Sequence, residues 1–183
     1  MPGAALIIID VQYAIDAPRW GPRNNAGAEV NMARLLARWR ESDRPLVHIR
    51  HDSVSEGSPY APGLPSHRFK KAVAPLEGET VIGKNTNNAF VNTGLEEHLR
   101  VLGIDEVIIC GVLTQHSVDT TARMASSLGF AVTVVSDATA ATDVMDGRGI
   151  NWPANDVHAL TLAHLVADYA DVSSTDEILV SSE

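Results

Sequence analysis

At 183 residues the chain is long enough for one domain with a substantial core, and no shift of composition asks for two, so residues 1–183 read as a single domain. Its formal net charge of −9 argues against a nucleic-acid footprint, which needs clustered Lys and Arg, and no apolar run approaches the roughly 20 residues of a membrane span. The single Cys excludes an intramolecular disulfide and fits a reducing compartment. Met-Pro-Gly leads directly into an apolar run with no charged segment ahead of it, so no secretory signal is read and a cytoplasmic location is the expectation.

Ala4 to Ile9 is the first expected strand. Its unbroken branched-apolar run suits a strand covered on both faces. A loop rich in punctuating residues follows through Pro22, in which Trp20 is either a pocket wall or an anchor packed on the body. A helix is expected from Asn25 to Ser42, with Val30, Leu35, Leu36 and Trp39 on its apolar side, and a second strand from Leu46 to Ile49. His51 to His67 is a long loop dense in Pro, Gly and Ser, of the kind that often carries function. His48, His51, Asp52 and His67 invite comparison with a zinc site, but their spacing is not that of a ligand set. Solvated or hydrogen-bonded histidines are the preferred reading, and no metal or other cofactor is expected.

Thr80 to Ile82 is the third expected strand, ended by Gly83-Lys84. Gly94 to Leu102 reads as a helix stopped by Gly103. Glu106 to Cys110 is the fourth strand, a helix ends near Gly129, and Ala131 to Val135 is the fifth strand. The segment from Ala138 to Asn155 has no clear period and reads as a flexible lid or a subunit contact. Asp156 to Tyr169 is a further helix and Glu177 to Val180 a short last strand; His158 and His164 read as structural. Strands alternating with helices predict the α/β class: a three-layer α/β/α, doubly wound, mainly parallel sheet of Rossmann-like form.

Ligands of such sheets sit at the carboxyl ends of the strands. Asp10, Lys84 and Ser117 all fall there. Taken locally, Ser117 is first of all an N-cap at the helix start, although free N–H groups at such a start also hold anions. Asp10 and Lys84 alone are as well explained by a salt bridge closing the strand ends. Cys110 lies within its strand as a small buried hydrophobe.

Ordered motifs shift that balance: Ile7-Ile-Ile-Asp10-Val-Gln12, Gly83-Lys84 with Asn88-Ala-Phe90, Gly111-Val-Leu-Thr114, Val118-Asp-Thr-Thr-Ala122, Gly129-Phe-Ala-Val132 and Val135-Ser-Asp137-Ala138. Over nearly the whole chain the pattern resembles the isochorismatase-like cysteine hydrolases, which include nicotinamidases, carbamoyl-amide hydrolases and isochorismatase itself. The resemblance implies the isochorismatase-like hydrolase fold, with Asp10, Lys84 and position 117 as a triad. It also implies an oxyanion hole from the backbone N–H groups of Leu113 and Ser117, a cis peptide joining Val112 to Leu113, and a homo-oligomer. The implied substrate is a small amide, carbamoyl or ureido compound. Metal-binding nicotinamidases carry an Asp-x-His pair where this chain has His51-Asp52. The main departure is at the nucleophile, which is Cys in the family and Ser117 here.

The substitution matters chemically. A carboxylate can take the proton of a thiol, whose pKa is near 8.5 and is lowered by a neighbouring cation, but has a much harder proton to take from a hydroxyl. Serine nucleophiles usually rely on a His base, and His116 is expected to point away from Ser117. Three explanations stand, in order: an inactivating Cys→Ser change in an amidase; an isochorismatase-type vinyl-ether hydrolase, which uses the Asp as a general acid without a nucleophile; and a non-catalytic small-molecule-binding protein. Trp20, Tyr60 and Phe90 are candidates for apolar pocket walls, with Gln12, Asn85 and Asn87 as polar contacts.

Overall fold

A computed structural model describes residues 3–181. Met1, Pro2, Ser182 and Glu183 lie outside the described residues, so the lead-in read for a secretory signal is described only from Gly3.

Six strands form one sheet: β1 (Ala5–Ile9), β2 (Leu46–His51), β3 (Thr80–Lys84), β4 (Glu106–Val112), β5 (Ala131–Ala140) and β8 (Asp171–Ser173). Their spatial order is β3-β2-β1-β4-β5-β8, and every neighbouring pair is parallel. The chain winds outward from β1 through β2 to β3, then returns to lay β4 on the other side of β1. The gap between the ends of β1 and β4 is therefore the switch point at which open α/β sheets bind ligands.

Burial on both faces explains the non-alternating strands. Ala5, Ile7 and Ile9 share a core with Leu95 and Leu99 of α2 (Leu95–Val101), Ala122 and Ala125 of α3 (Asp119–Ser127), and Leu162 and Leu165 of α4 (Ala154–Asp168). Leu6 and Ile8 point the other way, against Met32, Leu35, Leu36 and Trp39 of α1 (Ala28–Glu41) and Ile178 of α5 (Thr175–Ser181). The period of two in β1 thus feeds two cores. Each fully buried Met or Leu on α1 contributes about 1.5–3 kcal/mol. The expected three-layer α/β/α sheet is the observed one.

The C-terminal part differs from expectation. Glu177 to Val180 is helical, within α5, and the last strand is β8, which lies just before it. Ser174 and Glu177 form a capping box: the Ser174 hydroxyl accepts from the Glu177 N–H (3.3 Å), and the Glu177 carboxylate accepts from the Ser174 N–H (2.7 Å). That pairing commits four apolar-rich residues to a helix despite their strand-like composition. β5 also runs five residues past Val135, because Thr139 and Ala140 re-pair with Gly111 and Val112 after a register shift. Within Ala138 to Asn155 lies a small antiparallel pair, β6 (Val144–Met145) with β7 (Asn151–Trp152).

Candidate active site

Asp10 is the first residue past β1 and has φ 57°, a left-handed conformation that Asp tolerates better than most residues. Its N–H still donates to Ile49 O (3.0 Å), continuing the β1–β2 ladder by one bond. Lys84 ends β3, level with His51 in the parallel register. Ser117 lies in a π-turn, Thr114–Val118, that joins β4 to α3 and is marked by the Val118 N–H donating to Leu113 O (3.2 Å). Such turns often occur at functional positions. The Val112–Leu113 peptide ahead of it is cis.

These three side chains meet in a buried cluster. Lys84 Nζ donates to Asp10 Oδ2 (2.6 Å), to the Thr86 carbonyl (2.9 Å) and to Ser117 Oγ (3.2 Å), and also faces His51 Nδ1 at 3.2 Å. The Lys84 side chain is 0% and that of Asp10 5% exposed. Asp10 Oδ1 has no hydrogen-bond partner among the described residues. Burial raises the Asp10 pKa against the opposing pull of the Lys84 ammonium and the Ser117 hydroxyl. Ser117 does not cap α3: the cap position is Val118, without a side-chain cap bond. The simple capping account of Ser117 is thereby replaced by a hydroxyl bonded to a buried ammonium.

Asp10 and Ser117 open onto a cavity of about 300 Å³. Ile15, Trp20, Tyr60, Val112 and Leu113 supply apolar wall, and His51, Ser53, Asn87 and His116 supply polar wall. Tyr60 stands edge-on to Trp20 (centroids 6.1 Å apart) and to His51 (5.3 Å), so one aromatic side chain braces two others. Its phenol is kept protonated by burial and by the nearby Asp10 charge.

Of the proposed pocket residues, Trp20 and Tyr60 line this cavity while Gln12, Asn85 and Phe90 do not. Gln12 is fully buried and clips loops together: its side chain donates to His51 O (3.2 Å) and His67 O (2.6 Å) and accepts from the His51 N–H (2.8 Å). Asn85 is exposed. Phe90 stacks on Phe130 (5.9 Å) against the core of α2–α4. His116 lies on the cavity wall, and no hydrogen bond joins it to Ser117 among the described residues. Cys110 is buried, and burial pushes its thiol pKa up.

The histidine-rich loop is internally paired. His67 Nε2 meets Asp52 Oδ1 (2.7 Å), which also accepts from Arg50 (2.7 Å), and His48 Nε2 meets Glu79 (2.9 Å). Among the described residues no group of three or more His, Cys, Asp or Glu side chains is placed to hold a metal, and no helix is long and apolar enough to cross a membrane. The sequence reading missed His51 as a neighbour of Lys84; only the strand register brings residues 51 and 84 together.

Comparison with known proteins agrees with this architecture. Residues 4–177 match the isochorismatase domain. The crystal structure of a hydrolase of the isochorismatase family from Chromobacterium violaceum superposes with a TM-score of 0.95 at 46% identity, covering 100% of this chain and 98% of that one. The isochorismatase family protein YrdC of Bacillus subtilis is 39% identical over 96% of this chain and 94% of its own. Streptothricin hydrolase of Streptomyces noursei is 34% identical over 83% of this chain and 59% of its own. With a matched domain spanning nearly the whole sheet and relatives of this closeness, the chain belongs to the isochorismatase family and has its hydrolase fold.

Proposed function

We propose that the protein belongs among the amide-cleaving members of its family and acts on the C–N bond of a small amide, carbamoyl or ureido compound. Asp10, Lys84 and the side chain at position 117 form its triad in this reading. The observation that carries it is a buried ammonium within 2.6 Å of a carboxylate and 3.2 Å of a hydroxyl, with carboxylate and hydroxyl both on the cavity wall at the sheet's switch point.

In the mechanism, Asp10 takes the proton of the nucleophile as it bonds to the substrate carbonyl carbon. The carbonyl oxygen gains the electron pair and is met by the backbone N–H groups of Leu113 and residue 117. On collapse the C–N bond breaks and the proton on Asp10 passes to the departing nitrogen. Water, giving its proton to Asp10, then attacks the acyl carbon, and residue 117 leaves with that proton restored. Burial makes Asp10 a stronger base, and Lys84 stabilises the developing anion. A hydroxyl holds its proton far more tightly than a thiol, so Ser117 is read as an inactivating replacement of the family's Cys.

The same raised carboxyl supports a second reading, in which Asp10 protonates a vinyl ether as a general acid and no nucleophile is needed. Ammonia release from a panel of small amides, carbamoyl compounds and ureido acids, with the chain as it stands and with Ser117→Cys, separates the two. Turnover only with the thiol, abolished by Asp10→Asn, is expected. Silence from both moves weight to the vinyl-ether hydrolase or to a binding protein. Exposed Leu160 and Val166 on α4, with Met145 and Trp152 on the hairpin, support assembly of the chain with itself, to be read by sedimentation.

A further inference from the structure

Lys84 has more acceptors than protons. An ammonium carries three N–H donors and no lone pair, yet four acceptors surround Nζ: Asp10 Oδ2 at 2.6 Å, Thr86 O at 2.9 Å, and Ser117 Oγ and His51 Nδ1 at 3.2 Å each. The two short contacts take one N–H apiece. The third N–H is left between the hydroxyl of residue 117 and the imidazole.

The imidazole is held for this contact. Gln12 clamps both the N–H and the C=O of the His51 backbone (2.8 and 3.2 Å). Tyr60 fixes the ring edge-on, at an interplanar angle of 88°, and the strand register sets His51 beside Lys84. The ionisable groups facing the ring are Asp10 past β1, Lys84 on β3, neighbouring Asp52, and His67 and Tyr60 from the loop. Facing an ammonium, Nδ1 presents its lone pair, which puts the ring proton on Nε2. Burial and the Lys84 charge both hold His51 in this neutral form, against the pull of Asp10 and Asp52.

We propose that His51 is a positioning residue that acts through Lys84, its Nδ1 sharing the third ammonium proton until the nucleophile at position 117 gains charge and draws that proton over. No covalent bond to Lys84 breaks: the nucleophile's own proton goes to Asp10, and Lys84 only turns one N–H from imidazole to residue 117. The inference rests on the triad reading above, and the resting competition raises the barrier to ionising residue 117 in the empty site.

The test uses Ser117→Cys and reads the thiol pKa at position 117 from the pH dependence of iodoacetamide alkylation. Adding His51→Phe, which keeps a ring against Tyr60 but removes the acceptor, is expected to give the introduced thiol the whole N–H and raise its alkylation rate at slightly acid pH by about fivefold, the scale of one shared charge-assisted hydrogen bond. Adding His51→Asn instead returns an acceptor near the Nδ1 position and is expected to restore the original rate. A depressed thiol pKa that neither variant moves overturns the role of His51 and leaves the triad standing. An ordinary thiol pKa near 8.5 in all three overturns the triad reading and this inference with it. Nitrogen NMR of the unsubstituted chain tests the inference without any change at 51: the Nε2–H tautomer of His51 supports it, and an Nδ1–H tautomer overturns it.

Discussion

Gly111 stands where no other residue fits, because a Cβ at that position would penetrate the backbone of Ile9 on the adjacent strand. Its φ of +129° is also one that L side chains rarely adopt. The contact matters because Ile9 is followed by Asp10, and Gly111 by the turn that carries Ser117. This close approach of β1 and β4 therefore helps set the spacing of the carboxylate and the hydroxyl. Gly111→Ala is expected to cost about 3 kcal/mol or more, since backbone cannot yield as a side chain can. Gly129→Ala, at φ +86° but with open space around its Cβ, is expected to cost only about 1 kcal/mol of backbone strain. Urea midpoints of the two variants give the comparison; equal losses would refute the close-approach account.

The buried Asp10–Lys84 pair is a second place where function sets stability. Removing one partner strands the other charge away from water, so Asp10→Asn and Lys84→Met are each expected to destabilise by about 3–5 kcal/mol. The double variant is expected to lose less than either single change. The sign of the pH effect follows from Asp10. Its folded pKa is raised above 3.8, so the stability tied to its protonated form is present below that value and is lost as pH rises through the folded pKa. Between pH 4 and 8 this contribution opposes that of the buried histidines, whose pKa values are lowered. It is therefore read by denaturation as the difference in stability between the unsubstituted chain and the double variant, which is expected to fall as pH rises.

Much of this was legible in the chain. The run Ala5-Leu-Ile-Ile-Ile9 announced a strand buried on both faces, and the charged or polar residues following such runs fell on one edge of the sheet. What the sequence concealed depends on pairing between distant segments. His51 meets Lys84 only through the β2–β3 register, and β5 continues past Val135 only because it re-pairs with Gly111 and Val112. Gln12 reads as a pocket residue until His51 and His67 are seen to take both its amide N–H donors, with the His51 N–H on its oxygen. The helix over Glu177 to Val180 was readable, from Ser174 and Glu177 three apart. The apolar run Ile178-Leu-Val180 is by itself equally compatible with a strand, and it is the capping pair that decides for the helix.

The placement of Tyr60, Asn85 and Phe90 separates pocket from core. Tyr60→Ala removes cavity wall and the brace for Trp20 and His51, and is expected to raise KM severalfold for any amide that the Ser117→Cys form hydrolyses. Asn85→Ala, exposed and away from the cavity, is expected to leave both kcat and KM within twofold. Phe90→Ala is expected to act on folding instead. It breaks the stack on Phe130 and costs about 2 kcal/mol, below the range for fully buried Phe because its side chain is only half-buried. Steady-state kinetics beside thermal unfolding of the three variants checks the division; a KM effect at Asn85 would redraw the cavity.

Acid sensitivity is expected to centre on Glu79, remote from the cavity. Arg40 forks onto its carboxylate at 2.6 and 2.9 Å, the Leu76 N–H donates to it at 2.8 Å, and His48 Nε2 donates at 2.9 Å. Led by the Arg40 bonds, these partners lower its pKa from 4.5 to about 2. Its stabilisation is therefore present above about 4.5 and lost as pH falls toward about 2. Discounted for the water that reaches its edge, this amounts to about 2 kcal/mol. His48 adds to the acid limb with the same sign. Burial lowers its pKa below 6.5, and its Nδ1 is buried without a partner among the described residues, so protonation is resisted in the fold and stability falls as pH drops below 6.5. Glu79→Gln is expected to lower stability at pH 7 by about 2 kcal/mol and to flatten the loss between pH 4.5 and 2. His48→Gln should flatten the slope that begins nearer pH 6.5. Urea denaturation at half-unit pH steps resolves the two limbs, and an unchanged acid limb in Glu79→Gln would place the sensitivity elsewhere.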